Sequence, residues 1–196
     1  MSSLHNVLTY DVVVRDPKGE IVSQQKKQTG KSLLLAWHRV IHGVMGGINP
    51  NNITDTGGAS RGLDGGPGAG HEQTAFNVAA AAATATNGIT VGRGNTAVSL
   101  GDNALGTPIA EGVGANQLNY AIVVVTHTEG VASDVIHVQR TATNNSAAPI
   151  TVKEIGLIAS SLSTGWHFLL VRDVITDTPV AIGQSITVTF HLHNML

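Results

Sequence analysis

The last quarter of the chain, residues 148–196, reads APITVKEIGLIASSLSTGWHFLLVRDVITDTPVAIGQSITVTFHLHNML. Three apolar segments of strand length are separated there by Gly, Ser, Pro and Asp. In the third, Ile186, Val188, Phe190 and Leu192 alternate with Thr187, Thr189, His191 and His193, the period-2 pattern of an antiparallel strand with one face buried. The first holds Ile150, Val152, Ile155, Leu157 and Ile158. Its alternation slips by one residue between Val152 and Ile155, as a bulge at Lys153 and Glu154 would make it. The second, Phe168–Val171, is apolar on both sides, which predicts a central strand. A chain that closes on its most regular strands builds its C-terminus into the core sheet, and the fold class is therefore mainly β.

The rest of the chain agrees. Val7–Arg15 reads as a strand, Asp16-Pro17-Lys18-Gly19 as a turn, and Glu20–Gln25 as the returning strand of a hairpin. Over Ser32–Met45 the period changes: Leu33, Leu34, Trp37, Val40, Ile41 and Val44 recur at helical spacing. Gly46 and Gly47 end this amphipathic helix, and its Trp37 is expected to plug into the β core. Gly46–Gly70 carries nine glycines in twenty-five residues, a composition that marks a functional loop or an arm ordered on assembly. Phe76–Thr86 (FNVAAAAATAT) sets a run of five consecutive alanines against Thr and an absence of charge, and is read as extended. Ile89–Val91 is a short strand, VGRGNTAVSL a loop punctuated by Gly, and Asp102–Leu105 a single helical turn. Leu118–Thr126 and Val131–Thr143 pair as strands across His127–Gly130. Seven to nine strands and one helix predict an antiparallel β-sandwich, jelly-roll-like, as a single domain over 1–196. Within it, 46–72 is the Gly-rich arm and 148–196 a C-terminal module of three strands.

Composition narrows the function. Charged residues make up 12% and aromatics 4%, while hydrophobic residues reach 42%, so the chain is not disordered and suits tight β packing. Eleven Lys and Arg against thirteen Asp and Glu give a net charge of −2, and the one cluster, Lys26, Lys27 and Lys31, is too small for nucleic acid. The absence of cysteine removes disulfides, thiolate metal sites and cysteine nucleophiles. MSSLHNVLTYDV lacks the features of a secretory signal. The longest apolar runs, Val78–Ala83 and Ala121–Val125, fall far short of the ~20 residues of a membrane helix. The expectation is a protein made in a cytoplasm, with no membrane and no nucleic-acid partner.

Motifs for chemistry fail one by one. Nine histidines are present. His38 and His42 share a helix face and His191 and His193 a strand face, but neither pair has a third ligand placed by sequence. Gly65–Glu72 lacks the Lys-Ser/Thr of a phosphate loop, and Val91-Gly92-Arg93-Gly94 lacks the third glycine of a dinucleotide site. No serine sits in GxSxG, and Ser161 and Ser163 read as turn residues. Asp16, Asp55, Asp64, Asp102, Glu129 and Asp177 sit in turns, where Asp bonds its own backbone. Asn52 and Asn144 match the glycosylation sequon but read as turn asparagines. Trp166, beside a turn, is the one aromatic placed to serve a glycan. No catalytic, cofactor-binding or metal residue is expected.

The order VKEIGL, a short polar turn, FLLVRDVI and then PVAIGQSITVTF resembles the C-terminal module of a loosely defined group of tailed-bacteriophage virion proteins, decoration or appendage components of head or tail. VGRGNTAVSLGDNALGTPI, residues 91–109, resembles them less closely. The resemblance implies a non-enzymatic structural protein that self-associates or decorates a phage capsid or tail. Its implied location is the virion after synthesis in host cytoplasm. Its implied partners are copies of itself, as trimers at threefold positions, and other virion proteins such as major capsid or tail proteins. The other expectation is a receptor- or glycan-binding module on a virion or cell surface.

Overall fold

The computed structural model describes residues 8–30, 32–46, 53–62, 76–129, 133–161 and 165–195. Strands β1 (Leu8–Arg15) and β2 (Ile21–Thr29) form the N-terminal hairpin, helix α1 (Leu35–Gly46) follows, and β3 (Ile53–Thr54) with β4 (Ser60–Arg61) makes a small ribbon. Then come β5 (Phe76–Asn77), β6 (Gly88–Gly92), β7 (Ala110–Glu111), β8 (Gln117–Tyr120), β9 (Val124–Thr128), β10 (Ser133–Thr143), β11 (Ile150–Ser161), β12 (His167–Val180) and β13 (Ser185–Met195). Four of these are pairings of two residues; the nine longer strands match the upper end of the expected number.

The larger sheet has seven strands in the order β2-β1-β13-β10-β8-β7, with β9 also on β10; the smaller has four, in the order β12-β11-β5, with β6 also on β11. All pairs are antiparallel except β7 with β8. One hydrophobic cluster joins the sheets, with Tyr10, Val12, Val138, Ile186, Val188 and Phe190 from the larger meeting Val91, Val152, Ile155, Leu157, Phe168 and Val171 from the smaller. The fold is thus a β-sandwich with one helix among the described residues. The period-2 pattern of β13 is realised as read: Ile186, Val188 and Phe190 are buried, and β13 lies between β1 and β10 at the centre of the larger sheet.

The C-terminal module is divided between the sheets, since β11 and β12 belong to the smaller one and β13 to the larger. The slipped alternation in β11 coincides with a break in register at the expected place, but the extra residues are not the Lys153 and Glu154 read from sequence. Its pairing with β12 shifts between Val152 and Glu154, with Ile175, Thr176 and Asp177 standing against Lys153 alone. The extra residues lie on β12, and the shift turns Ile155 and Leu157 to the main core and Glu154 away from it. Strand β12 is at an edge rather than central. Its two-sided burial comes from a cover: Leu33 bridges Val171, the Leu34 N–H donates to the Leu170 carbonyl, and the Thr56 N–H donates to the His167 carbonyl. Leu34, Leu105, Ile158 and Leu169 form a second, small apolar cluster behind the smaller sheet.

That cover also explains the helix boundary. Residues 33 and 34 are committed to the β12 edge, so α1 starts at Leu35 rather than Ser32. Ala36 and Val40 are buried and Trp37 packs against the main core, whereas Ile41 is exposed. No helical turn forms over Asp102–Leu105, which is irregular, and the Ala-rich run leaves β5 as irregular backbone with Ala83 at φ 59°. Strand β8 stops at Tyr120, and β9 resumes at Val124 after the Val123 N–H donates to the Ala80 carbonyl. The opening turn is as expected: the Asp16 carboxylate accepts from the N–H groups of Lys18 and Glu20, and Gly19 has φ 88°.

Candidate functional site

Two buried cations organise the loops. Glu154, with no exposed surface, accepts backbone N–H bonds from Gly94 (2.8 Å), Gly106 (3.0 Å) and Thr107 (2.8 Å), and receives the Arg172 Nε at 2.9 Å. Arg172 also bonds Asp102 at 2.7 Å and the Thr96 carbonyl at 3.1 Å. Burial raises the Glu154 carboxyl, but the N–H donors and Arg172 outweigh it, so the group sits below its ordinary value. Arg172 is raised in turn, its burial being outweighed by Asp102 and Glu154. The loop 93–108 is wound around this pair. A Cβ on Gly92 or Gly94 would collide with the Glu154 carboxylate, so only glycine lets the backbone approach.

Arg140 is the second. It points inward from β10 and its five N–H groups meet five carbonyls: Ala121 (2.8 Å), Asn87 (3.1 Å), Ile89 (3.0 Å), Ala81 (3.1 Å) and Thr84. Its guanidinium stacks on Tyr120, 4.8 Å from the ring centroid. One side chain thereby fixes the Ala-rich run 79–88, which forms no regular element after β5. Nothing in the local sequence marked Arg140; its one visible signal was a charge at an inward position of an alternating strand.

The residues singled out from sequence are scattered. His38 and His42 are exposed on α1. His191 and His193 lie on the outer face of the larger sheet, ring centroids 6.2 Å apart, and among the described residues no group of three or more His, Asp or Glu side chains is arranged to hold a metal ion. Trp166 is no open platform: it packs against the core and carries the Arg61 guanidinium 4.8 Å from its ring centroid. Asp55 accepts from the N–H groups of Gly57 and Ala59 and from Arg61 Nε at 2.6 Å. Burial raises its carboxyl, and these donors bring it below its ordinary value. This part of the Gly-rich arm, residues 53–62, is thus a hairpin docked on its own domain, with Ile53 fully buried. Gly65–Glu72, Asp64, Ser163, Lys31 and Asn52 lie outside the described residues. Asn144 is buried, donating to the carbonyls of Ala148 (2.9 Å) and Val180 (2.8 Å), and cannot accept a glycan. Asp102 and Asp177 pair with Arg172 and Lys153, and Glu129 lies 3.7 Å from His127. An open cleft of about 450 Å³ is lined by Arg93, Thr107, Asn116, Thr151 and Lys153 among others; its lining has no carboxylate or histidine to act as a base.

What remains is an edge. Strand β9 pairs with β10 over five unbroken residue pairs, Val124↔Gln139 through Thr128↔Val135, and no described strand pairs its other side. All five residues are exposed, none is Lys, Arg, Asp, Glu or Pro, and there is no bulge. Val125 lies opposite Val138, which is 1% exposed, yet Val125 is 45% exposed. The larger sheet overhangs the smaller one here, and its core side runs out at β9. Ile136 (45%) extends this surface on the same face, whereas Val124 (48%), opposite Gln139, is exposed on the other face, and Ile122, just before the strand, is 61% exposed. The opposite edge differs. Strand β2 carries Lys26 and Lys27, its pairing shifts twice against β1, Lys27 has φ 49°, and Gln25 bonds Thr178 Oγ1 of the smaller sheet at 2.8 Å. Those are the devices that block edge-to-edge pairing, and β9 has none of them.

No described helix is long and apolar enough to cross a membrane. No family model, curated protein or solved structure matches the chain.

Proposed function

We propose that this protein is a non-enzymatic structural component of a virion, of the decoration or appendage type, that self-associates through the open edge at β9. The observation that carries the reading is the contrast between the two free edges of one sheet. Strand β2 is guarded by lysines and bulges, whereas β9 is straight, uncharged and flanked by exposed Ile and Val. An unguarded edge is a template for another strand. Pairing with a second copy extends the sheet across two subunits, satisfies the outward N–H and C=O groups of β9, and sets the partner's side chains beside Val125 on one face and Val124 on the other. The resemblance of residues 148–196 supplies the virion setting, with major capsid or tail proteins as the further partners.

Light scattering on the purified chain, with negative-stain images of the same fraction, tests the reading. A discrete oligomer or filament is expected, and V125K, which places a charge on the edge, should be monomeric with unchanged circular dichroism. A wild-type chain that is monomeric at high concentration would overturn self-association as its primary property.

A further inference from the structure

The open cleft of about 450 Å³ lies where the start of β11 meets the loops before β7 and β8. Arg93, just past β6, donates from Nη1 to Asn116 Oδ1 at 3.0 Å, and among the described residues no carboxylate pairs with it. Lys153 meets Asp177 at 2.9 Å, but that carboxylate is 62% exposed, so water and other anions compete for the ammonium. On a chain of net charge −2, the lining thus gathers two cations, two threonine hydroxyls and one amide. It is also rigid. The Arg93 N–H donates to the Thr107 carbonyl at 2.8 Å, while the N–H groups of Gly94 and Thr107 end on Glu154, both at 2.8 Å. Asn116 has φ 59°, which asparagine accepts, in a turn closed by the Gly114 N–H on Gln117 Oε1 at 2.8 Å. The polar groups of the cleft are therefore set before any ligand arrives.

The chemistry of the lining selects the ligand. A guanidinium without a counter-charge offers its N–H fork to a carboxylate or a phosphate. Phosphate is commonly seated on several backbone N–H groups, and here those of Gly94, Gly106 and Thr107 are spent on Glu154. That leaves a carboxylate. A carboxylate alone fills little of the cleft, whose 450 Å³ falls within the ~300–1,000 Å³ of small-molecule sites. The remaining polar groups are the Thr107 and Thr151 hydroxyls and the amide N–H groups of Asn116, whose oxygen is taken by Arg93. Neutral groups of this kind, open to water and with no aromatic wall, suit a ring covered in hydroxyls better than an apolar one. We propose that this cleft binds an acidic sugar, its carboxylate on Arg93 with Lys153 beside it and its hydroxyls on Thr107, Asn116 and Thr151. With no carboxylate or histidine in the lining, the sugar is held and not cleaved. This inference does not depend on pairing at β9.

The test titrates glucuronate, glucose, acetate and inorganic phosphate against the full chain by saturation-transfer nuclear magnetic resonance, which reads the ligand and serves a monomer and an assembly alike. Glucuronate should bind at millimolar concentration. Glucose and acetate each carry half of the recognised chemistry and should bind at least about 10-fold more weakly, as should phosphate. R93Q should weaken glucuronate by at least about 10-fold. N116D places a carboxylate on the Arg93 fork from within and should weaken it by a similar factor, and K153Q, whose cation is shared with Asp177, by about 2- to 5-fold. Each variant is checked for the wild-type circular dichroism spectrum. Absence of glucuronate binding, or binding unchanged in R93Q or N116D, would overturn the site. Acetate or phosphate binding as tightly as glucuronate would overturn the sugar, and glucose doing so would overturn the role of the carboxylate.

Discussion

Glu154 offers the sharpest perturbation. Its side chain has no exposed surface and that of its partner Arg172 only 3%, so the pair is not screened by solvent. Substitution by glutamine preserves shape and removes one charge. Placed at Oε2, the amide nitrogen faces the donors of Gly106 at 3.0 Å and Arg172 at 2.9 Å; placed at Oε1, it faces those of Gly94 and Thr107, both at 2.8 Å. Either way an N–H group is set against two others, and Arg172 loses its most buried counter-charge. Breaking a buried pair by removing one partner costs about 3–5 kcal/mol. For a domain of this size each kcal/mol lowers Tm by about 2–4 °C, so E154Q should melt about 6–20 °C below wild type. Urea unfolding gives the free energy directly, provided the slopes agree between the two proteins. A loss below about 1 kcal/mol would refute the view that this carboxylate holds the loop.

The same residue fixes the sign of an acid effect. The folded Glu154 carboxyl lies below its ordinary value, so its contribution is complete above the unfolded value of about 4.3 and fades as pH falls through the folded one. Wild type should therefore lose stability in acid more steeply than E154Q.

R140K keeps the charge but has three donors for five carbonyls; a loss of at least about 2 kcal/mol is expected, with faster proteolysis between Ala79 and Asn87 seen by mass spectrometry. G94A puts a Cβ against the Glu154 carboxylate and 3.0 Å from the Gly106 Cα; about 1–3 kcal/mol should be lost in urea unfolding, with little further loss when E154Q is added. V125K should abolish self-association in light scattering while changing monomer stability by no more than about 0.5 kcal/mol, because Val125 is half exposed.

The parts of the fold that were legible were those specified locally. The alternation in β13, the Asp16–Gly19 turn and the slip in β11 each depend on neighbours in sequence and could be read without a partner. Helix α1 was legible as an element but not in its start, because Leu33 and Leu34 are taken by the distant edge of β12. The two-sided apolar run at Phe168–Val171 looked central because sequence reports burial, not what provides it, and here a cover buries an edge. Arg140 and Glu154 could not be read, since their partners lie 18 to 60 residues away and become neighbours only after folding. The same holds for His137, whose opposite, His191, is 54 residues on; sequence offered His193 as the partner instead.

The stretches VKEIGL, FLLVRDVI and VGRGNTAVSLGDNALGTPI are the ones that grip each other. Glu154 belongs to VKEIGL and Arg172 to FLLVRDVI, while Gly94, Gly106, Thr107 and Asp102 belong to VGRGNTAVSLGDNALGTPI. A glycine where no Cβ fits, a carboxylate that takes three N–H groups and an arginine that closes the ring are requirements of packing, and they account for the pattern without a ligand. A pattern so explained specifies a scaffold. What one copy does to its surroundings then has to come from surface that packing leaves free. On the larger sheet the free surface differs from edge to edge: β2 spends lysines and two register shifts on staying solitary, and β9 leaves Val124, Val125 and Ile136 in the open beside backbone that no described strand pairs. An overhang of that kind is costly for a lone domain, since it leaves the apolar area of Val124, Val125 and Ile136 in water. It is favoured where a second chain completes the sheet.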